Sequence, residues 1–168
     1  MITVGIDPGW ASFGIAISKD GEVLEKTSFV PKSFGSSSLP FIKILIDEWL
    51  SPILKDVDDK VGVVYIERFV TYAGMKVDGE NILMLIGALE YFFQSHGCVV
   101  KLVKALDWKV KLCQHLVKTK KVSNPSTSLD KKFSIWAANQ MSGLTFKSDH
   151  EADAVCISLL TDAIMKGK

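Results

Sequence analysis

The first thirty residues alternate between short apolar runs and turn residues. Ile2 to Asp7 and Phe13 to Ser18 are runs typical of buried strands, and Glu22 to Val30 predicts a third strand. Asp20-Gly21, between the second and third runs, is a pair typical of tight hairpin turns. The chain therefore opens with a predicted antiparallel meander of three strands.

Beyond the meander, helical and strand patterns alternate. Leu39 to Leu54 repeats apolar residues at helical spacing, and Val61 to Ile66 is a β-branched run typical of a buried parallel strand. The remaining predicted elements are a helix Asn81 to Gln94, a strand Cys98 to Val103, and helices near Asp107 to Val117, from about Leu129 with Ser128 as N-cap, and from about His150 to Met165. The predicted fold class is α/β: a mixed five-stranded sheet, a three-strand antiparallel meander plus two parallel strands, flanked by helices.

The helix predicted for Asn81 to Gln94 is apolar around most of its circumference. Such a helix needs apolar cover on two sides. We expect it either to lie at the centre of the core or to pack one face on the sheet and the other on a second subunit.

A chain of 168 residues with 48% hydrophobic content suits one compact domain, so we expect residues 1–168 to form a single domain. No apolar run reaches the roughly 18 residues that a membrane span needs. We expect a soluble, intracellular protein, and the lack of a targeting pattern fits a bacterial or phage-infected cytoplasm. The cysteines Cys98, Cys113 and Cys156 form no Cys-x-x-Cys pair, which favours buried free thiols.

Charge is unevenly distributed although the net charge is only +1. The segment from Lys101 to Lys132 contains nine lysines against Asp107 and Asp130. This asymmetry suits a phosphate-binding surface on an otherwise acidic protein. A solvated lysine-rich helix and loop is the alternative.

Two acids end predicted strands. Asp7 lies in Gly-Ile-Asp-Pro-Gly at the end of the first strand, and Glu67 follows Val63 to Ile66. A carboxylate beside a buried strand is costly to bury unless it binds a metal ion or a partner. Stabilising the Pro-Gly turn is the alternative for Asp7, and a salt bridge with a neighbouring base is the alternative for Glu67.

A third acidic cluster opens the last predicted helix. His150 and Asp153 are three residues apart and share a helix face, as do Asp149 and Asp153 at four apart. Asp149 or Glu151 is explained by the preference for acids in a first helical turn. The alanines beside Asp153 would allow the helix to approach the sheet closely.

Together these groups predict an oxygen-rich metal site. Asp7, Glu67, His150 and Asp153 suit Mg²⁺ or Mn²⁺, whereas zinc fits less well because the cluster lacks cysteine. Two such ions about 4 Å apart can activate a water and stabilise the leaving oxygen in phosphodiester hydrolysis. His150 would either bind metal or move a proton, and both roles stay open.

The motifs resemble those of the RuvC family of Holliday junction resolvases, within the RNase H-like nuclease superfamily, over nearly the whole chain. The resemblance rests on the opening Gly-Ile-Asp-Pro-Gly followed by Phe13 to Ala16, on Ile66-Glu67, and on His150-x-x-Asp153-Ala154-Val155. It implies metal binding by Asp7, Glu67, His150 and Asp153. Some family members have aspartate at the position of His150, which leaves Asp149 as a competing ligand.

The resemblance also implies how DNA is bound. Family members are homodimers that cut symmetrically related strands of a four-way junction, with a helix at the position of Asn81 to Gln94 in the interface. An aromatic residue matching Phe69, with Tyr72 nearby, would enter the junction crossover, although an ordinary core aromatic is the alternative for Phe69. The implied phosphate contacts are Lys109, its neighbour Lys111, and Lys131 or Lys132. Residues 118–128 depart from the bacterial pattern, which leaves substrate preference open.

The function expected from the sequence is therefore paired, symmetric, Mg²⁺-dependent cleavage of four-way DNA junctions by a homodimer, with Mn²⁺ as a substitute. Nucleases for flaps, forks or RNA-DNA hybrids would use the same acids. A junction-binding protein without activity would not need all four positions filled. An ATP-binding protein of the actin and sugar-kinase type would need a second domain and further glycine-rich loops.

Overall fold

The computed structural model describes residues 1–52, 61–70, 78–120, 131–146 and 148–165. Five strands form one sheet, in the order β3-β2-β1-β4-β5. The strands β1, β2 and β3 are antiparallel neighbours, whereas β4 runs parallel to both β1 and β5. The strand bounds are Ile2–Asp7, Phe13–Lys19, Glu22–Phe29, Val61–Glu67 and Val99–Val103. The predicted α/β fold class, a mixed sheet of three antiparallel and two parallel strands, is confirmed.

Helices cover both faces of this sheet. A short 3₁₀ turn, Pro31–Phe34, precedes α1, which continues into a π-helical segment, Leu45–Leu50. The α-helices are α1 (Ser38–Ile44), α2 (Asp78–Ser95), α3 (Ala105–Lys120), α4 (Lys131–Ser142), α5 (Asp149–Ser158) and α6 (Asp162–Met165). The predicted cap Ser128, the start at Leu129 and the end of the first helix at Leu54 lie outside the described residues.

The prediction of one continuous helix from His150 to Met165 was wrong. Helix α5 ends at Ser158, and Leu159 leaves the helical region with φ −90° and ψ 0°. The hydroxyl of Thr161 then accepts a hydrogen bond from the backbone N–H of Ile164, which caps α6. A polar cap three residues beyond Ser158 therefore begins a separate short helix.

The sheet separates two apolar cores. One core lies between the sheet and helices α1 and α2, and contains Ile6, Phe41 and Phe93. The other core lies between the sheet and helices α3, α4 and α5, and contains Trp108 and Phe133. Because side chains alternate between the faces of a strand, the residues next to Ile6 face the second core.

Helix α5 lies closer to the sheet than ordinary side chains would allow. A Cβ added to Gly5 would fall 2.2 Å from the backbone nitrogen of Ser158 and 2.3 Å from the carbonyl oxygen of Ala154. A Cβ on Gly14 would fall 2.2 Å from the carbonyl oxygen of His150. The glycines in the middle strands are therefore required for this contact, which fixes the position of the helix that carries His150.

Two expectations from composition can be compared with the structure. None of the described helices is both long and apolar enough to cross a bilayer. All three cysteines are free thiols; Cys98 and Cys156 are buried, whereas Cys113 is only partly buried.

Candidate active site

The sheet brings the two strand-borne acids to the same edge. Strands β1 and β4 are parallel neighbours in which Ile6 pairs with Ile66, so Asp7 and Glu67 follow at adjacent strand ends. Since Ile6 and Ile66 face the first core, the two acids face the second one, towards α3 and α5. Asp7 is 8% exposed despite its charge. Burial of this kind requires compensating partners.

Helix α5 supplies one such partner. The Nδ1 atom of His150 lies 2.6 Å from Oδ2 of Asp7, a hydrogen bond between residues 143 positions apart. Asp153 lies one turn further along the same helix and is 9% exposed. The first strand and helix α5, far apart in the sequence, therefore meet at this site.

The other acids of α5 have different surroundings. Glu151 forms an ion pair of 2.5 Å with Lys26 of β3, which ties the start of the helix to the sheet. Asp149 Oδ2 lies 4.0 Å from Nε2 of His150. The structure therefore places His150, rather than Asp149, against Asp7. Both Asp149 and Glu151 lie in the first turn of α5, and Glu151 in addition pairs with Lys26.

Burial and neighbouring negative charge raise the proton affinity of two carboxylates of the site, Glu67 and Asp153. Burial, with the negative charges of Asp7 and Asp153, raises the pKa of Glu67 from 4.5 to about 7. Burial raises the pKa of Asp153 to about 6, against the opposing effect of the Lys109 ammonium. The hydrogen bond to Asp7 raises the pKa of His150. A region this short of positive charge favours binding of a cation.

The first turns of α3 contribute two residues to the site. Trp108 donates a hydrogen bond from Nε1 to Oε2 of Glu67 at 2.8 Å. The Nζ atom of the next residue, Lys109, lies 3.4 Å from Oδ1 of Asp153. Lys109 was a predicted phosphate contact, and it is found beside the acids. The role of Trp108 was not predicted from the sequence. A buried indole N–H needs an acceptor, and this need is the one feature of the residue that could have indicated a contact with an acid.

The donor set fits a hard divalent cation. Carboxylate oxygens with one imidazole are ligands suited to Mg²⁺ or Mn²⁺. Oδ1 of Asp153 is buried and has no hydrogen-bond partner among the described residues. Within those same residues, no three acidic, histidine or thiol groups are already arranged closely enough to hold an ion. Asp7, Glu67 and Asp153 are instead engaged by His150, Trp108 and Lys109.

Phe69 lies at the edge of the acidic site. It lines a cavity of about 140 Å³ together with Asp7, Pro8 and Glu67, and packs partly against the first core. It also borders a larger cavity of about 280 Å³, with Trp10 and His150 among the lining residues. Phe69 therefore lies beside the acids and also packs partly against the first core, as in the alternative interpretation. Tyr72 lies outside the described residues.

The other predicted phosphate contacts differ in their surroundings. Lys111 donates a hydrogen bond to the backbone carbonyl of Met165 in α6, so its amine is engaged in fastening that helix. Lys132 is exposed on α4, and the side chain of Lys131 is outside the described part of the chain. Lys109 is thus the predicted lysine that the structure brings to the acids.

Helix α2 packs on the sheet with one face and leaves apolar side chains on the other. Leu85, Leu89 and Phe93 are fully buried, whereas Tyr91 is 76% exposed. Its exposed neighbours on the same helix are Leu83 at 52% and Met84 at 47%. The sequence left two arrangements open for this helix: at the centre of the core, or on the sheet with a second apolar face exposed. The structure has the second arrangement, in which the described residues leave that face uncovered.

Comparison with known proteins supports the fold. No family model and no curated protein sequence matches the chain. Among solved structures, RuvC from Thermus thermophilus in complex with a Holliday junction substrate aligns with a TM-score of 0.68 and 17% identity, over 95% of this chain and 91% of that one. Another structure of Thermus thermophilus RuvC aligns with a TM-score of 0.64 and 18% identity, covering 95% and 92%. The chain therefore has a RuvC-like fold, as its motifs predicted.

Proposed function

We propose that this protein is a divalent-metal-dependent endonuclease that cuts four-way DNA junctions. The observation that carries the proposal is the convergence of Asp7, Glu67, His150 and Asp153 from two strand ends and the C-terminal part of the chain. The RuvC-like fold and the Holliday junction bound by one of the similar structures support DNA junctions as the substrate.

Mg²⁺, or Mn²⁺ in its place, would be held by Asp7, Glu67, Asp153 and His150. When bound, two such ions supply Lewis-acid activation of water and stabilisation of the leaving oxygen in phosphodiester hydrolysis. Two observations support this assignment. The buried Oδ1 of Asp153 makes no hydrogen bond among the described residues and only a 3.4 Å ion pair with Lys109. The negative charges of Asp7 and Asp153 also repel that of Glu67. Asp149, close to Nε2 of His150, would tune the imidazole rather than replace it.

The chain's own residues hold protons and charge at the site. His150 shares a proton with Asp7 at 2.6 Å, so its imidazole is oriented by a carboxylate before the substrate arrives. Lys109, at the edge of the acidic group, can exchange its contact with Asp153 for a phosphate oxygen. Phe69 borders the acids and would enter the crossover of the junction.

We infer that two copies pair through the exposed face of α2. Leu83, Met84 and Tyr91 form an apolar surface on one helix, and Gly87, between them, has nothing within 4 Å of where its Cβ would lie. A small residue within an apolar helix face allows two helices to approach closely. Two active sites related by this pairing would suit paired cuts in a symmetric junction.

The test is cleavage of a synthetic four-way junction, a flap and a linear duplex of matched sequence, with Mg²⁺ present or chelated. We expect paired symmetric nicks in the junction that require Mg²⁺. Asp7→Asn should reduce cleavage more than the roughly 10- to 100-fold expected when a supporting partner is removed. Asp20→Asn, at an exposed hairpin turn, is the control and should cut normally.

The outcomes separate the candidate functions. Equal cutting of the flap would broaden the substrate to branched DNA in general with the same acids. Tight binding of the junction without cleavage in Mg²⁺ or Mn²⁺ would contradict the proposed activity and indicate a junction-binding protein.

A further inference from the structure

Trp108 is the residue beside the acids that the proposed chemistry does not use. Its side chain is fully buried in the second core, yet its indole N–H reaches Oε2 of Glu67 at 2.8 Å. The Nζ atom of Lys109 lies 5.0 Å from the centre of the Trp108 ring and 3.4 Å from Asp153. Two successive residues of α3 therefore contact two different acids of the site.

The chemistry of the two partners makes this contact specific. An indole N–H can only donate, and a buried one needs an acceptor. The ring is held by the apolar residues of its core, among them Leu112 and Phe133, so the donor is fixed in place. Glu67, in contrast, has a flexible side chain at the end of a strand. The rigid partner therefore sets the orientation of the flexible one.

We propose that Trp108 is a positioning residue that orients the Glu67 carboxylate by occupying Oε2 and leaving Oε1 as the oxygen available to a metal ion. This inference rests on the proposed function, because it assumes that Glu67 is a ligand. Partners that orient a metal-binding carboxylate typically change metal affinity about 10- to 100-fold when they are removed. We expect a loss of that size when the indole donor is replaced.

The first measurement is the indole ¹⁵N–¹H resonance of Trp108, identified by its absence in Trp108→Phe. In the metal-free protein, Glu67→Ala should shift this resonance by removing its acceptor. Addition of Mg²⁺ to the wild-type protein should also shift it, whereas the indole resonance of Trp136, on α4 in the same core, should move much less. A Trp108 resonance that responds to neither change would overturn the proposal.

The second measurement is Mn²⁺ affinity by calorimetry, without DNA. Trp108→Phe should bind Mn²⁺ about 10- to 100-fold more weakly than the wild type. Trp136→Phe removes the same ring from the same core and should bind Mn²⁺ normally. Wild-type affinity in a folded Trp108→Phe protein would overturn the proposal. If that variant does not fold, the Trp108 resonance is assigned by triple-resonance experiments on the wild type, and its shift in Glu67→Ala still decides the matter.

The two proposals fail separately. A wild-type protein that cuts junctions while Trp108→Phe keeps full Mn²⁺ affinity contradicts the positioning role alone. A wild-type protein whose Trp108 resonance moves with Mg²⁺, but which leaves every DNA substrate intact, contradicts the proposed function alone.

Discussion

Helices α5 and α2 lie on opposite faces of the same sheet and are packed in different ways. From Ala152 to Ser158, α5 is buried on all sides, and its backbone approaches Gly5 and Gly14 closely. Helix α2 buries one face and leaves apolar side chains exposed on the other. Contacts within the chain thus determine the position of α5, which carries His150 and Asp153, whereas the described residues leave one apolar face of α2 uncovered.

The largest expected effect concerns the close contact of α5. Gly5→Ala would place a methyl group within 2.3 Å of backbone atoms of Ala154 and Ser158, which cannot move aside without shifting the helix. We expect a loss of about 3 kcal/mol or more in the free energy of unfolding, measured by urea denaturation. A variant as stable as the wild type would show that α5 is not held as tightly as its contacts indicate.

The next effect concerns the exposed face of α2. If two copies pair as proposed, Tyr91→Glu should weaken the pairing by about 2 kcal/mol or more, since a charge would replace an exposed aromatic residue of the apolar face. The free energy of unfolding of the monomer should change by no more than about 0.5 kcal/mol, because Tyr91 is exposed. Sedimentation equilibrium measures the dissociation constant. Leu39→Glu, at an exposed position of α1, is the control and should leave it unchanged.

A smaller effect is expected of pH on the free energy of unfolding. It concerns two acids on the side of the sheet that α5 covers, Glu67 and Asp153. Because the pKa of Glu67 is raised to about 7 by folding, the native state binds more protons than the unfolded state between about pH 4.5 and 7. Stability without metal should therefore fall as pH rises through this range. The raised pKa of Asp153, about 6, acts in the same direction.

Glu67→Gln removes the larger of these two contributions. The fall in the free energy of unfolding between pH 5 and pH 8 should become smaller by on the order of 2 kcal/mol. Urea denaturation at both pH values, with chelator present, measures the difference. An equal fall in both proteins would mean that Glu67 is hydrated in solution.

The smallest effect is expected at the glycine of α2. Gly87→Ala should stabilise the monomer by about 0.5–1 kcal/mol, because its methyl group meets open space and alanine favours a helix. Urea denaturation at low protein concentration measures this gain. At high concentration the same methyl group should weaken pairing, if the two helices approach at Gly87. A gain at every concentration would place the interface elsewhere.

Most of the fold could be predicted from local patterns. The strands of the meander, the hairpin at Asp20-Gly21 and the parallel strand that ends at Glu67 all follow from apolar runs and turn residues. The break after Ser158 could not, because Leu159 and Leu160 continue the apolar pattern while Thr161 caps a new helix. Apolar periodicity cannot distinguish a buried turn from a further helical turn.

The acids of the site could be predicted from the sequence, but the contacts that support them could not. Asp7 and Glu67 stand out because charge is unusual at the end of a buried strand. Trp108 and the contact of Lys111 with Met165 depend on the direction of α3 and on where α6 lies, and neither is encoded in nearby residues. Tertiary geometry therefore decides which basic residues are engaged within the protein, as Lys111 is by Met165.

The hydrogen bond between Asp7 and His150 has a consequence for synthesis of the protein. Asp7 cannot make this contact until His150, 143 positions later in the chain, has been synthesised. Since domains generally fold as units, a nascent chain still lacking α5 carries its first strands without a complete acidic group. Under the proposed function, a nascent chain that still lacks α5 would therefore be unable to cut DNA.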